Sequence, residues 1–265
     1  MEKASKTYLK QARELLREKE ARAKAGVFAA EGEKIVRDLI DKGHVVNSAL
    51  VSSSFISGGS CLSAFIEEKN IPVFYTGSRE FDRASSLKSP EGIIALFQKK
   101  SCSLKEIEDI KPAFIVLCDG LQDPGNLGAI IRNAAAFNAG CLILTGDAVD
   151  IYNPKVIRSS SGTMLDIPII SCSYAELDRF KDNGYRVLVS HVDQDAASRI
   201  EEIKRLPRFA IIAFGSEGSG VSKKIISRAD TFFHIPVSDD VESLNVTSAS
   251  AIALYEFSKA RLSEK

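Results

Sequence analysis

Two hydrophobic periods alternate along the chain. Over residues 5–25 the apolar positions recur at helical spacing, with Leu9, Ala12, Leu16 and Lys19 sharing a face. A second helix is predicted over 31–42, where Ile35, Val36, Leu39 and Ile40 form the apolar side and Gly43 the C-cap. Short apolar runs then alternate with helices: a strand at 49–51, a helix over 62–69, and strands at 73–75 and 93–97. Residues 101–112, with Lys105, Glu106, Glu108 and Asp109, are polar and read as a linker. From Ala113 the alternation becomes regular. Strands are predicted at 113–118, 141–144, 187–189, 210–213 and 231–233, and helices at 127–137, 154–160, 174–181, 223–226 and 246–262. Such a pattern predicts an α/β fold with a parallel sheet covered by helices on both faces, whose sites form at the carboxyl ends of the strands.

The 265 residues allow one large or two modest domains, and a hydrophobic fraction of 45% suffices for a core. The expected division is 1–100, a linker at 101–112, and 113–265. With 35 Lys and Arg against 35 Asp and Glu, only local patches can point to a nucleic-acid partner. One such patch opens the chain: through Lys24, eight Lys or Arg face four Glu. Lys6, Lys10, Arg13 and Arg17 suit a phosphate-contacting arm, and a merely solvated helix fits the same pattern. Cys61, Cys102, Cys118, Cys141 and Cys172 are widely spaced, with no C-x-x-C, and His44, His191 and His234 are far apart in sequence. These features predict reduced thiols, no metal site and a cytoplasmic protein. No apolar run approaches a membrane span.

Three strand-end loops carry the candidate chemistry. The first is Asp123-Pro124-Gly125-Asn126, where Asn126 reads as the N-cap of a helix that bears Arg132. The second, Gly215-Ser216-Glu217-Gly218-Ser219-Gly220, follows the strand at 210–213. It is not a phosphate cradle: Val221-Ser222 stands where a P-loop needs Lys-Ser/Thr, Lys223 breaks G-x-G-x-x-G, and Glu217 would repel phosphate. A ligand with a cationic or hydrogen-bond-donating edge fits better. The third loop ends in Glu242-Ser243-Leu244-Asn245.

With all three in view, the chain resembles an RNA ribose 2′-O-methyltransferase of the SpoU family, in the SPOUT superfamily of S-adenosylmethionine enzymes. Phe28-Ala29-Ala30-Glu31-Gly32-Glu33-Lys34 and Ser89-Pro90-Glu91-Gly92-Ile93 resemble the family's N-terminal substrate-binding domain, whose fold is similar to small RNA-binding ribosomal proteins. The resemblance spans roughly residues 28–262. It implies a C-terminal trefoil knot, which general topology rules would not lead one to expect. It also implies S-adenosylmethionine as cofactor, RNA (ribosomal or transfer) as substrate, and a homodimer formed through the C-terminal domain. Cofactor contacts carry over to Gly215, Ile235, Leu244, Ser243 and Asn245, and catalytic roles to Arg132, Asn126 and Glu217. Arginine stays protonated in proteins, so Arg132 is better read as stabilising a developing alkoxide than as a strong base. In Asn153-Pro154-Lys155-Val156-Ile157-Arg158-Ser159-Ser160, the residues Lys155, Arg158 and Ser160 are candidate RNA contacts, beside Arg13 and Arg17. Two departures stand out. Asn138 replaces a common glycine, where its tolerance of positive φ should preserve the turn, and Thr247 replaces serine or alanine. A non-catalytic RNA-binding protein on the same fold is the alternative reading.

Overall fold

In the computed structural model, which describes residues 1–58, 69–191, 196–238 and 240–262, the basic stretch expected as one helix forms two. Glu18 adopts an extended conformation (φ −114°, ψ 122°) between helices Lys6–Arg17 and Lys19–Ala25. The break lets the buried Arg22 guanidinium turn back and donate to the Leu15 carbonyl at 2.9 Å. Ala12, Leu15 and Leu16 are the buried positions of the first helix, and Lys19 is exposed.

Contacts divide the chain into two units, residues 1–100 with 152–162, and residues 101–151 with 163–265. In the first unit β1 (Glu2–Lys3), β2 (Val27–Glu31), β3 (Val46–Ser52), β4 (Val73–Thr76) and β5 (Ile93–Gln98) form a mixed sheet in the order β1-β4-β3-β5-β2. Glu31, expected to begin a helix, instead ends β2, because its backbone pairs in register with Ile94. The helix that follows, Glu33–Asp41, ends in a Schellman motif: Gly43 (φ +77°) donates to Ile40 and His44 to Leu39. The helix expected over 62–69 falls outside the described residues except for Lys69, as does Cys61.

The second unit is a seven-stranded, wholly parallel sheet. Its strands are β6 (Phe114–Asp119), β7 (Cys141–Thr145), β8 (Ile169–Ser171), β9 (Arg186–Ser190), β10 (Ser198–Arg199), β11 (Ala210–Phe214) and β12 (Thr231–His234). Their order is β10-β12-β9-β11-β6-β7-β8. Ile115, Leu117, Ile143, Val187, Val189 and Ile211 share one core with Leu177 and Phe180 of helix Tyr174–Asp182. Phe233 meets Phe257 of the final helix, Val246–Leu262, edge-on at 5.1 Å. Five strand predictions hold to within about one residue, since each is a short, largely apolar run that lies inside the sheet and not at its edge. The edge strands β8 and β10 are too short to stand out as such. The segment read as a linker carries helix Leu104–Ile110, nucleated by a Ser103/Glu106 capping box. Asn138 does take positive φ (+57°), closing helix Pro124–Ala136 with the paired bonds a glycine would allow.

Cys118 and Cys141 are fully buried in β6 and β7, and burial drives both thiols far above their ordinary value. Burial also pushes the Cys172 thiol up to about 12. Thiolate is the reactive form. These three cysteines should therefore resist a thiol reagent at pH 8 until denaturant is added, while Cys102 reacts in the native state, as site-resolved mass spectrometry would reveal.

Candidate active site

Sheet order decides which loops meet. Strand β11 pairs with β6 over five rungs, from Ala210 opposite Phe114 to Phe214 opposite Cys118. Parallel pairing puts the carboxyl ends of the two strands side by side, so the loops after Asp119 and Phe214 leave the sheet together. Strand β12 lies beyond β9 on the same side and ends at the same edge. The strand order is compatible with the trefoil threading expected from the resemblance.

The glycine-rich loop is closed on itself. Ser216 and Gly220 exchange two backbone hydrogen bonds, at 3.0 and 2.9 Å, and their neighbouring side chains Ser216 and Ser219 bond at 2.7 Å. Gly215 at its base is buried, and a Cβ there would lie 2.1–2.2 Å from backbone atoms of Gly220 and Val221. Only glycine permits that approach. The second and third loops are also joined: the Asn245 amide donates to the Glu217 carboxylate. The same Asn245 uses its oxygen to accept from the Thr247 backbone (2.8 Å) and hydroxyl (2.5 Å), capping the final helix.

Between these loops lies a cavity of about 580 Å³. Its wall brings together Gly215, Glu217, Ile235, Ser243, Leu244 and Asn245, the six positions expected from the second and third loops. His191 and His234 also line it, though neither lies in the loops singled out by sequence. His191 follows the last residue of β9 and packs edge-on against Phe232, while His234 ends β12 with Nδ1 2.9 Å from the Ala197 carbonyl. Isolated strand-end histidines gave no sequence signal beyond their position.

Asn126 and Arg132 are not part of that wall. Both lie on helix Pro124–Ala136, with Arg132 exposed. Asn126 is not its N-cap. Pro124 occupies the first turn, where its fixed φ and missing N–H are tolerated, and the Asp123 carboxylate accepts from the Asn126 backbone at 2.9 Å. The residue after Arg132, Asn133, donates to the Thr247 carbonyl (3.1 Å) and the Ser250 hydroxyl (3.0 Å). This bond pair fixes the arginine-bearing helix to the start of the final helix, just past the third loop.

The remaining candidates lie in the first unit. Arg158 faces the buried Glu31 at 3.3 Å, and that carboxylate also accepts from the Ser85 hydroxyl at 2.7 Å. The Ser160 hydroxyl is fully buried and donates to the Ile157 carbonyl. Lys155 and Arg13 are exposed, and Arg17 donates to the Ser85 carbonyl at 3.2 Å. Among the described residues no cluster of three or more His, Cys, Asp or Glu could hold a metal.

A parallel sheet with a closed glycine loop and a cavity at the strand ends is the arrangement in which open α/β folds bind small molecules. The chain belongs to the SpoU rRNA Methylase family, whose model matches residues 113–255. Residues 6–95 match the MRM3-like substrate binding domain. The chain is 28% identical to the 23S rRNA (guanosine(2553)-2′-O)-methyltransferase RlmP of Bacillus subtilis, over 91% of this chain and 92% of that protein. It is 31% identical to an uncharacterised tRNA/rRNA methyltransferase of Synechocystis sp., over 82% of each. Among solved structures, the AdoMet-bound rRNA methyltransferase from Sinorhizobium meliloti aligns with a TM-score of 0.82 and 25% identity, covering 99% of this chain and 98% of that one.

Gly215→Ala should force the loop open. The Ser216 and Gly220 amides, protected by their mutual bonds, should then exchange with deuterium markedly faster than in the wild type, while amides of β6 and β9 remain protected.

Proposed function

We propose that this protein transfers a methyl group from S-adenosylmethionine to a ribose 2′-hydroxyl of RNA, with ribosomal RNA as the substrate class. The observation that carries the proposal is the cavity that joins the closed glycine loop to the third loop, beside the helix bearing Arg132. Its residues suit the cofactor. Gly215 leaves space for close backbone approach, Ile235 and Leu244 offer apolar surface to adenine, and Glu217 supplies negative charge facing a cationic ligand. When bound, the cofactor supplies a methyl group activated by the sulfonium.

The chain's own residues would do the rest. As the sulfur–methyl bond breaks to leave a neutral thioether and the oxygen–methyl bond forms, the hydroxyl proton passes to solvent. Arg132 offers a permanent cation to the oxygen that gains negative charge, and its planar donors can also hold a neighbouring phosphate. Asn126, in the first turn of the same helix, would orient the arginine or the ribose. Holding hydroxyl and methyl donor in one arrangement contributes through proximity. Lys155, Arg13 and Arg17 are proposed as phosphate contacts, with Lys6 and Lys10 exposed on the helix that carries the two arginines. Arg158 and Ser160 are better explained as internal supports, given their partners Glu31 and Ile157. A homodimer through the C-terminal domain would cover the exposed Ile252 and Tyr255 of the final helix, which are 39% and 52% accessible.

The relatives named for ribose methylation of 23S rRNA support this reading. Incubating the protein with ribosomal RNA and methyl-labelled cofactor should give alkali-resistant 2′-O-methyl nucleotides. Cofactor binding without any transfer would favour a non-catalytic RNA-binding protein instead. Arg132→Ala should reduce turnover by about two orders of magnitude or more, with affinity for S-adenosylhomocysteine nearly unchanged by calorimetry. Equal loss of both would remove the arginine from the chemical step. Replacing Lys6, Lys10, Arg13 and Arg17 by Gln should weaken RNA binding and flatten its dependence on salt.

A further inference from the structure

Asp119 is a buried carboxylate that the reading above does not use. It ends β6, is 2% exposed, and accepts hydrogen bonds from three different segments. Oδ1 accepts from the Thr145 hydroxyl at 2.8 Å and the Tyr174 hydroxyl at 2.9 Å. Oδ2 accepts from the Ser222 backbone N–H at 2.8 Å. The first two bonds tie β6 to its neighbour β7 and to the start of helix Tyr174–Asp182. The third has a different effect, because Ser222 is the residue at which the chain leaves the glycine-rich loop.

The register explains why the carboxylate can reach there. Phe214 pairs with Cys118, so Gly215 and Asp119 each follow the last shared rung. The loop begins beside Asp119, makes its turn between Ser216 and Gly220, and returns over Gly215 to Val221 and Ser222. Its entrance is held by the sheet, and at its exit the Asp119 carboxylate adds a polar tie at Ser222 to the packing of Val221 in the core. Val221, between the turn and that bond, lines the cavity.

We infer that Asp119 is a positioning residue for the cofactor: by holding the Ser222 N–H it keeps the glycine-rich loop folded back in its ligand-accepting shape. The inference rests on the proposed cofactor site. A hydrogen bond from a backbone N–H to a carboxylate is among the stronger kinds, and at this part-buried position its loss removes the carboxylate tie at the loop exit. Asp119 also belongs to the strand that leads into the Arg132 helix, so one side chain sets the cofactor loop relative to the first loop.

The full-length protein would be titrated with S-adenosylhomocysteine by calorimetry, with thermal melting measured in parallel. Asp119→Ala should weaken binding about ten-fold or more. Asp119→Asn should restore most of it, since its amide oxygen can accept from Ser222 while its NH2 donates to a hydroxyl. Thr145→Val removes a bond to the same carboxylate but not the loop contact, so it should lower the melting temperature and leave affinity unchanged. Ser222→Pro deletes the backbone donor, at a φ of −65° that proline favours, and should weaken binding as Asp119→Ala does, whereas Ser222→Ala, which loses only the hydroxyl, should leave affinity unchanged. This variant decides the matter if Asp119→Ala does not fold. Unchanged affinity in Ser222→Pro and Asp119→Ala would overturn the inference. So would affinity that falls in step with melting temperature across all variants, Thr145→Val included. A wild-type protein blind to the ligand would overturn the cofactor site itself and this inference with it.

Discussion

The parallel pairing of β6 with β11 underlies the candidate site. A parallel ladder aligns carboxyl ends, so the two loops that leave these strands must start within one strand spacing of each other. Had β11 been antiparallel, or had it lain at the far edge beyond β12, the glycine-rich loop and the Arg132 helix would have emerged at opposite ends of the strands or several strands apart. The buried runs Phe114–Asp119 and Ala210–Phe214 are apolar enough to lie in the middle of a sheet covered on both sides. Burial of these two strands and placement of the loops are thus consequences of one arrangement.

Polar side chains then convert adjacency into fixed geometry. Asn133 joins the first helix to the last, Asn245 joins the third loop to Glu217, and Asp119 joins β6 to the exit of the second loop. Each is a single residue that bonds across more than twenty positions of sequence, and each bond reaches a backbone or carboxylate partner that burial or capping already orients. Such fixation matters for a site whose proposed work is orientation. A methyl transfer needs an in-line approach, and small displacements of either reactant carry a steep rate cost.

Much of this was legible in the chain, and the exceptions have physical causes. Apolar runs of four to six residues between turn signals mark central strands well, so β6, β7, β9, β11 and β12 were predictable. Short edge strands such as Ile169–Ser171 bury too little to create a pattern. The break at Glu18 was invisible because helix propensity continues across it, and only the tertiary contact of Arg22 with Leu15 reveals why the chain turns. Asn126 and Asp123 are both good capping types, and Pro124 decided between them. The six cavity residues of the second and third loops were reached through the family resemblance, not through spacing or periodicity. Asp119 was not, since a carboxylate at the end of an apolar run looks like an ordinary solvent-facing residue until its three donors are seen.

The segment 152–162 has a practical bearing on how the protein can be dissected. It contributes to the first unit although it falls late in the sequence: Tyr152 packs on Phe28 with ring centroids 4.9 Å apart, its hydroxyl bonds the Lys100 carbonyl at 2.6 Å, and Arg158 neutralises Glu31. The polypeptide therefore enters that unit twice. A fragment cut after residue 100 would expose one face of an aromatic pair and strand a buried anion without its cation, so it should be a poor soluble stand-in for the intact unit. Gene fusions or circularly permuted versions that keep residues 1–100 and 152–162 on one chain would respect the way this polypeptide is interleaved.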